Sequence, residues 1–87
     1  MPAFASSNFV SVNSGNSAPA SQSCKKGEKF ISGAAWFPGL ASGDETRVES
    51  TQFIGALDHQ PTGYLAYGYN NTSEARLFDV LIACLRN

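Results

Sequence analysis

Long apolar runs are missing from this sequence: no stretch approaches the ~20 residues that a membrane-spanning helix requires. Charge is scarce as well. Only 15% of the 87 residues are charged, six basic against seven acidic, for a formal net charge of −1. A nucleic-acid binder needs a basic stripe to displace counterions, and a membrane-surface protein needs a polybasic patch. The charge balance argues against both, so neither nucleic acid nor membrane insertion is expected. Histidine is limited to His59, and the two cysteines, Cys24 and Cys84, form no C-x-x-C pair. A zinc ribbon or a thioredoxin-like site is thereby excluded, and no metal or cofactor is expected. Met1-Pro2-Ala3-Phe4-Ala5-Ser6-Ser7 has neither a positive n-region nor an apolar h-region, so a signal peptide is not expected. With 43% hydrophobic residues, the chain has enough apolar content for one small domain.

Residues 1–23 contain no charged side chain, and seven of the 23 are Ser. Residues 1–8 are expected to form an N-terminal arm, with Phe4 and Phe9 as assembly anchors, ahead of a single β domain over 9–87. Val10-Ser11-Val12 alternates like a half-buried strand, predicting a short strand at about 8–13 before the turn cluster Asn13-Ser14-Gly15-Asn16-Ser17. Further strands are predicted over 29–37, 46–54 and 64–69, separated by Gly, Pro and Asn turns. Alternation places Ile31, Gly33, Ala35 and Phe37 on one face of the first of these. In the second it sets Val48, Ser50, Gln52 and Ile54 opposite Arg47, Glu49, Thr51 and Phe53. The pattern suggests an antiparallel sandwich or barrel of about six strands. Residues 74–87 are ambiguous. Their period mildly favours a helix with Leu77, Leu81, Cys84 and Leu85 on one stripe. A strand would instead turn Phe78, Val80, Ile82 and Cys84 inward and leave Leu77, Leu81 and Leu85 needing cover of their own.

The cysteines are either a disulfide or two buried thiols. Closing a loop of about 60 residues would stabilise by roughly 4 kcal/mol in the chain-entropy model, and a bridge would imply an oxidising location.

Taken in order, Cys24-x-x-Gly27, Ile31-x-Gly33, Ser50, Thr62-Gly63-Tyr64, Asn70 and Val80-x-Ile82-x-Cys84 resemble a recurrent short β-domain of bacteria and their phages, common in actinobacteria and their viruses. The resemblance spans about residues 10–86. Lys25, Ala34, Ala35 and Gln52 stand where that pattern has Pro, two glycines and Pro. It implies that Cys24 and Cys84 pair, that the last segment is a strand and that the fold is all-β. Family members occur as secreted surface domains and as modules at the ends of fibre-like phage proteins.

Candidate sites are few. His59, between Asp58 and Gln60, has no G-x-S-x-G elbow to serve and is expected to be an exposed loop residue. Asp44 and Glu45 form one acidic pair, which is not a calcium site. Trp36, Tyr64, Tyr67 and Tyr69 either fill the core or provide a surface for sugar rings or a protein interface. Asn70-Asn71-Thr72 matches a glycosylation acceptor. No catalytic constellation is present, and an enzyme is not expected. The expected function is a structural or interaction piece of a phage-particle surface, such as a capsid decoration or fibre tip. It would oligomerise or join other virion subunits. The alternative is a secreted bacterial binding module that takes a glycan through its tyrosines.

Overall fold

The computed structural model describes residues 3–39, 45–55 and 60–86. The candidates Asp44, Asp58 and His59 lie outside the described residues. Among those described, the chain forms six strands and no helix: β1 (Ala3–Val12), β2 (Asn16–Ser23), β3 (Glu28–Trp36), β4 (Thr46–Ile54), β5 (Gly63–Asn70) and β6 (Arg76–Arg86). They make two three-stranded antiparallel sheets, ordered β1-β6-β3 and β2-β5-β4, consistent with the expected small all-β fold.

The last segment is a strand, against its helical period. Burial decides the matter, because Phe78, Val80, Ile82 and Cys84 are each 2% exposed or less. Burying Phe78, Val80 and Ile82 contributes ~1.5–3 kcal/mol apiece, which outweighs the few tenths per residue that helix propensity offers. Opposite them, β5 presents Ala66 and Gly68 and β2 presents Ala20, so bulky residues of one sheet face small ones of the other. Phe37 and Phe78 pack with ring centroids 4.8 Å apart.

The N-terminal segment differs from expectation. Instead of an arm, Ala3 to Asn8 pair residue by residue with Leu85 to Val80 and belong to the same strand as Phe9–Val12. At Gly15, whose φ of 78° suits glycine, the chain turns and changes sheets, and the Gly15 N–H donates to the Asn70 carbonyl at 2.7 Å. The strand that follows, β2, was not expected from the sequence. It runs along β5 from Asn16↔Asn70 to Ser23↔Gly63.

Two bulges also reset the faces. The β3 register slips between Phe30 and Ser32, and the β4 register slips between Val48 and Ser50. Phe30 therefore faces the core side with Gly33 and Ala35, and Val48 shares its side with Thr51 and Phe53. Phe30, Phe53 and Tyr64 form one aromatic cluster there, with centroid separations of 5.7 and 5.8 Å.

Gly33 lies against this cluster. A Cβ at Gly33 would sit 2.5–2.9 Å from Tyr64 atoms. Gly33→Val is accordingly expected to destabilise by about 2–3 kcal/mol through overpacking. Denaturant midpoints of the two proteins check this, and an unchanged midpoint would refute the close packing.

Candidate functional site

The four candidate aromatics are not on one surface. Tyr64 is in the interior cluster, Trp36 is on the outer side of the β1-β6-β3 sheet, and Tyr67 and Tyr69 share the outer side of the β2-β5-β4 sheet.

Around Tyr69 the second of these faces is polar. The Arg47 guanidinium lies 4.5 Å from the Tyr69 ring centroid and 3.6 Å from the Glu49 carboxylate. The Ser17 hydroxyl donates to the same Glu49. Tyr69 Oη donates to Asn71 Oδ1 at 3.3 Å, and Asn71 Nδ2 donates to Glu45 Oε2 at 2.8 Å. Glu45, Thr46, Arg47, Tyr69 and Asn71 enclose a shallow depression of about 270 Å³. The Arg47 guanidinium covers one face of the Tyr69 ring, and the Tyr69, Asn71 and Glu45 polar groups are paired with one another. The neighbouring Asn70 has another role. It is fully buried, its Nδ2 donates to the Val12 and Glu74 carbonyls, both at 2.8 Å, and its Oδ1 accepts from Thr72 N and Oγ1. The glycosylation match is therefore closed to modification in the folded chain.

The outer face of β1-β6-β3 has a different character. Leu77, Asp79, Leu81, Ala83 and Leu85 point outward from β6, since their alternates are buried. The flanking rows add Ala5, Ser7 and Phe9 from β1, and Ala34 and Trp36 from β3. Phe9 is 60% exposed, Leu77 48% and Trp36 38%. Asp79 lies between Phe9 and Trp36 in register, and its Oδ1 is buried with no hydrogen-bond partner among the described residues. Of the two expected anchors, Phe9 is on this face, whereas Phe4 pairs with Cys84 on the opposite side and lies 4.1 Å beneath the Arg86 guanidinium.

Cys24 and Cys84 form a disulfide, with Cα atoms 6.0 Å apart. Among the described residues, the group with metal-ligand geometry is Cys24, Glu28 and Cys84, and the bridge consumes both of its sulfurs. Nearby, Lys25 N donates to Glu28 Oε1 at 2.9 Å, and Arg86 Nη2 donates to Glu28 Oε2 at 3.1 Å. The Lys25 backbone N–H, followed by Arg86, holds the Glu28 carboxyl below its ordinary value of 4.5 despite desolvation. A depressed carboxyl stabilises the fold above its unfolded value and loses that contribution as pH falls through the folded one. Stability should therefore fall as pH drops below 4.5, and Glu28→Gln should flatten that limb by lowering stability above pH 4.5 while leaving the most acid end of the curve in place. Thermal melts between pH 2 and 7 check it.

No known protein family, curated protein or solved structure matches this chain. Among the described residues, no helix is long and apolar enough to cross a membrane. The disulfide fits an oxidising, extracellular setting.

Proposed function

We propose that the chain is a non-enzymatic structural and interaction module of a phage-particle surface, acting as a capsid decoration, fibre tip or similar piece. The observation that carries this reading is the uncovered apolar face of β1-β6-β3. Leu77, Phe9 and Trp36 stand in water there, on a core already closed by a disulfide. A particle subunit gains by burying such a face against its neighbours, at about 25 cal/mol per Å² of apolar surface. The resemblance to phage and bacterial surface β-domains supports the same setting. Mass spectrometry of purified particles should find the chain, with the bridge intact, at a stoichiometry comparable to the other structural subunits. Its absence from particles and presence in the medium of uninfected cells would overturn this reading.

The Tyr67 and Tyr69 face supports a second reading, a secreted bacterial module that binds glycans. Affinity electrophoresis through cell-wall polysaccharide should then retard the native chain and not Tyr69→Ala.

A further inference from the structure

We infer that the end of the sandwich formed by the β2–β3 turn and the last residues of β6 is a binding site for a linear polymer carrying phosphate groups. The inference holds whether the module is on a particle or secreted.

Its first ground is the way charge is divided between the two ends. The chain has six basic residues, and four of them, Lys25, Lys26, Lys29 and Arg86, are at this end. Among the described residues, the acid beside them is Glu28. Toward the opposite end, Arg47 lies 3.6 Å from Glu49 and Arg76 3.8 Å from Glu74, so both cations there have an acid at hand. Lys25, Lys26 and Lys29 are exposed and make no ion pair among the described residues. A net charge of −1 therefore conceals a cationic end.

The second ground is convergence. Glu28 N donates to the Lys25 carbonyl at 3.0 Å and closes the turn, with Gly27 at a φ of 86°. Glu28 is opposite Arg86 in register, so the turn and the strand end are one strand spacing, about 5 Å, apart. Cations this close lie within one Debye length, ~10 Å at 0.1 M salt, and act on an anion together. Lys25, Lys26, Gly27, Glu28 and Arg86 line a depression of about 540 Å³ between them.

The third ground is that Arg86 is already held in place. Glu28 Oε1 accepts from Lys25 N, and its Oε2 accepts from both Nε and Nη2 of Arg86. Only 8% of the Glu28 side chain is exposed, so its charge is spent inward. It takes the Nε side of the planar guanidinium and leaves the edge that carries Nη1 directed away. The Phe4 ring centroid lies 4.1 Å from the same guanidinium. The disulfide ties Cys24, next to Lys25, to Cys84, two residues before Arg86. A donor fixed in this way gives up little freedom on binding.

A guanidinium fork with two lysine point charges suits phosphate, whose oxygens accept from several directions. A single phosphate leaves part of the charge unmatched, and a chain of them does not. No aromatic ring lines the depression among the described residues, so nucleic-acid bases have no platform to stack on.

Calorimetric titration of the oxidised chain with short-chain inorganic polyphosphate tests this. Binding is expected with a Kd of about 10–100 µM in about 50 mM salt. Contacts from Lys25, Lys26 and Arg86 give a salt slope of about −2, so about 200 mM salt should weaken binding about twentyfold. The double variant Lys25→Ala/Lys26→Ala alters two exposed side chains and should melt like the native chain. It should bind about 25-fold more weakly or worse, with the slope reduced to about −0.7. Backbone amide shifts on binding should be largest at 25–29 and 85–86. No binding at about 1 mM polymer, shifts centred elsewhere, or a double variant that binds like the native chain overturns the inference. Orthophosphate binding as tightly per phosphate would overturn the polymer, and polyglutamate binding as tightly would overturn phosphate as the group recognised. A thymidine oligonucleotide binding more tightly than polyphosphate would make this a nucleic-acid site and overturn the inference too.

Discussion

Loss of the Cys24–Cys84 bridge is expected to lower the melting temperature by about 15–30 °C, whether by Cys24→Ser, Cys84→Ser or reductant. The bridge closes a loop with a sequence separation of 60, and in the chain-entropy model such a loop restricts the unfolded chain by about 4 kcal/mol. A domain this small has only about 4–13 kcal/mol in total. The bridge also joins the two layers, since Cys24 follows β2 in one sheet and Cys84 is on the central strand of the other. Cys84 is 2% exposed, so its replacement adds a packing defect that reduction alone does not. Cys84→Ser should therefore melt below the reduced native chain. Calorimetry of the four samples checks both statements, and a melting temperature indifferent to reductant would refute the first.

Asn70→Ala is expected to cost about 3–4 kcal/mol, nearly as much as the bridge. The Asn70 side chain makes four hydrogen bonds without any access to solvent. They tie the end of β1 at Val12, the turn at Thr72 and the approach to β6 at Glu74. Truncation removes the Asn70 Nδ2 bond to the Val12 carbonyl and leaves the Thr72 N–H without its acceptor, whereas the Glu74 carbonyl keeps the Thr72 hydroxyl at 2.8 Å; losing a buried partner costs more than a net hydrogen bond returns. Thr72→Val removes one of the four and should cost about 1 kcal/mol. Urea midpoints of the two variants separate the cases. Equal losses would show that the network is not centred on Asn70.

The strands that declared themselves carry large β-branched or aromatic residues. β4 was read over 46–54, where it lies, and β5 was one residue short at each end. β2 escaped because Asn16–Ser23 presents only Ala18 and Ala20 inward and carries Pro19, giving it no apolar alternation above noise. Its placement depends on the backbone ladder to β5, which composition does not encode. Face assignment failed across Ile31 and Glu49: the residues beyond each bulge share faces as expected, but one extra residue inverts their parity against Phe30 and Val48 before it. Neither bulge has a glycine at the slip to announce it. β6 was the reverse case: its leucines at 77, 81 and 85 imitate a helical stripe, and they do so because a strand with two apolar faces needs cover on both. Asn70 looked like turn chemistry, and nothing in its neighbours' identities distinguishes a buried network from a solvated turn.

The bridge has a further consequence under tension. Ala3 pairs with Leu85, so the two outer ends of the described chain leave the sandwich side by side. A force pulling Ala3 away from Arg86 enters through the last residues of β6, reaches Cys84 and crosses the disulfide to Cys24. From there it returns along β2 and β1. Residues 25–83 are bypassed by the covalent path, and β3 and β4 lie outside the strand pairs that the pull opens. The pull unzips β1 from β6 pair by pair, and then β2 from β5. Extension stops when the segment from Ala3 to Cys24 is straight, at about 70 Å, instead of the roughly 280 Å that the unbridged chain would reach. Oxidised, the module is a short tether with a fixed stop, and reduction removes the stop.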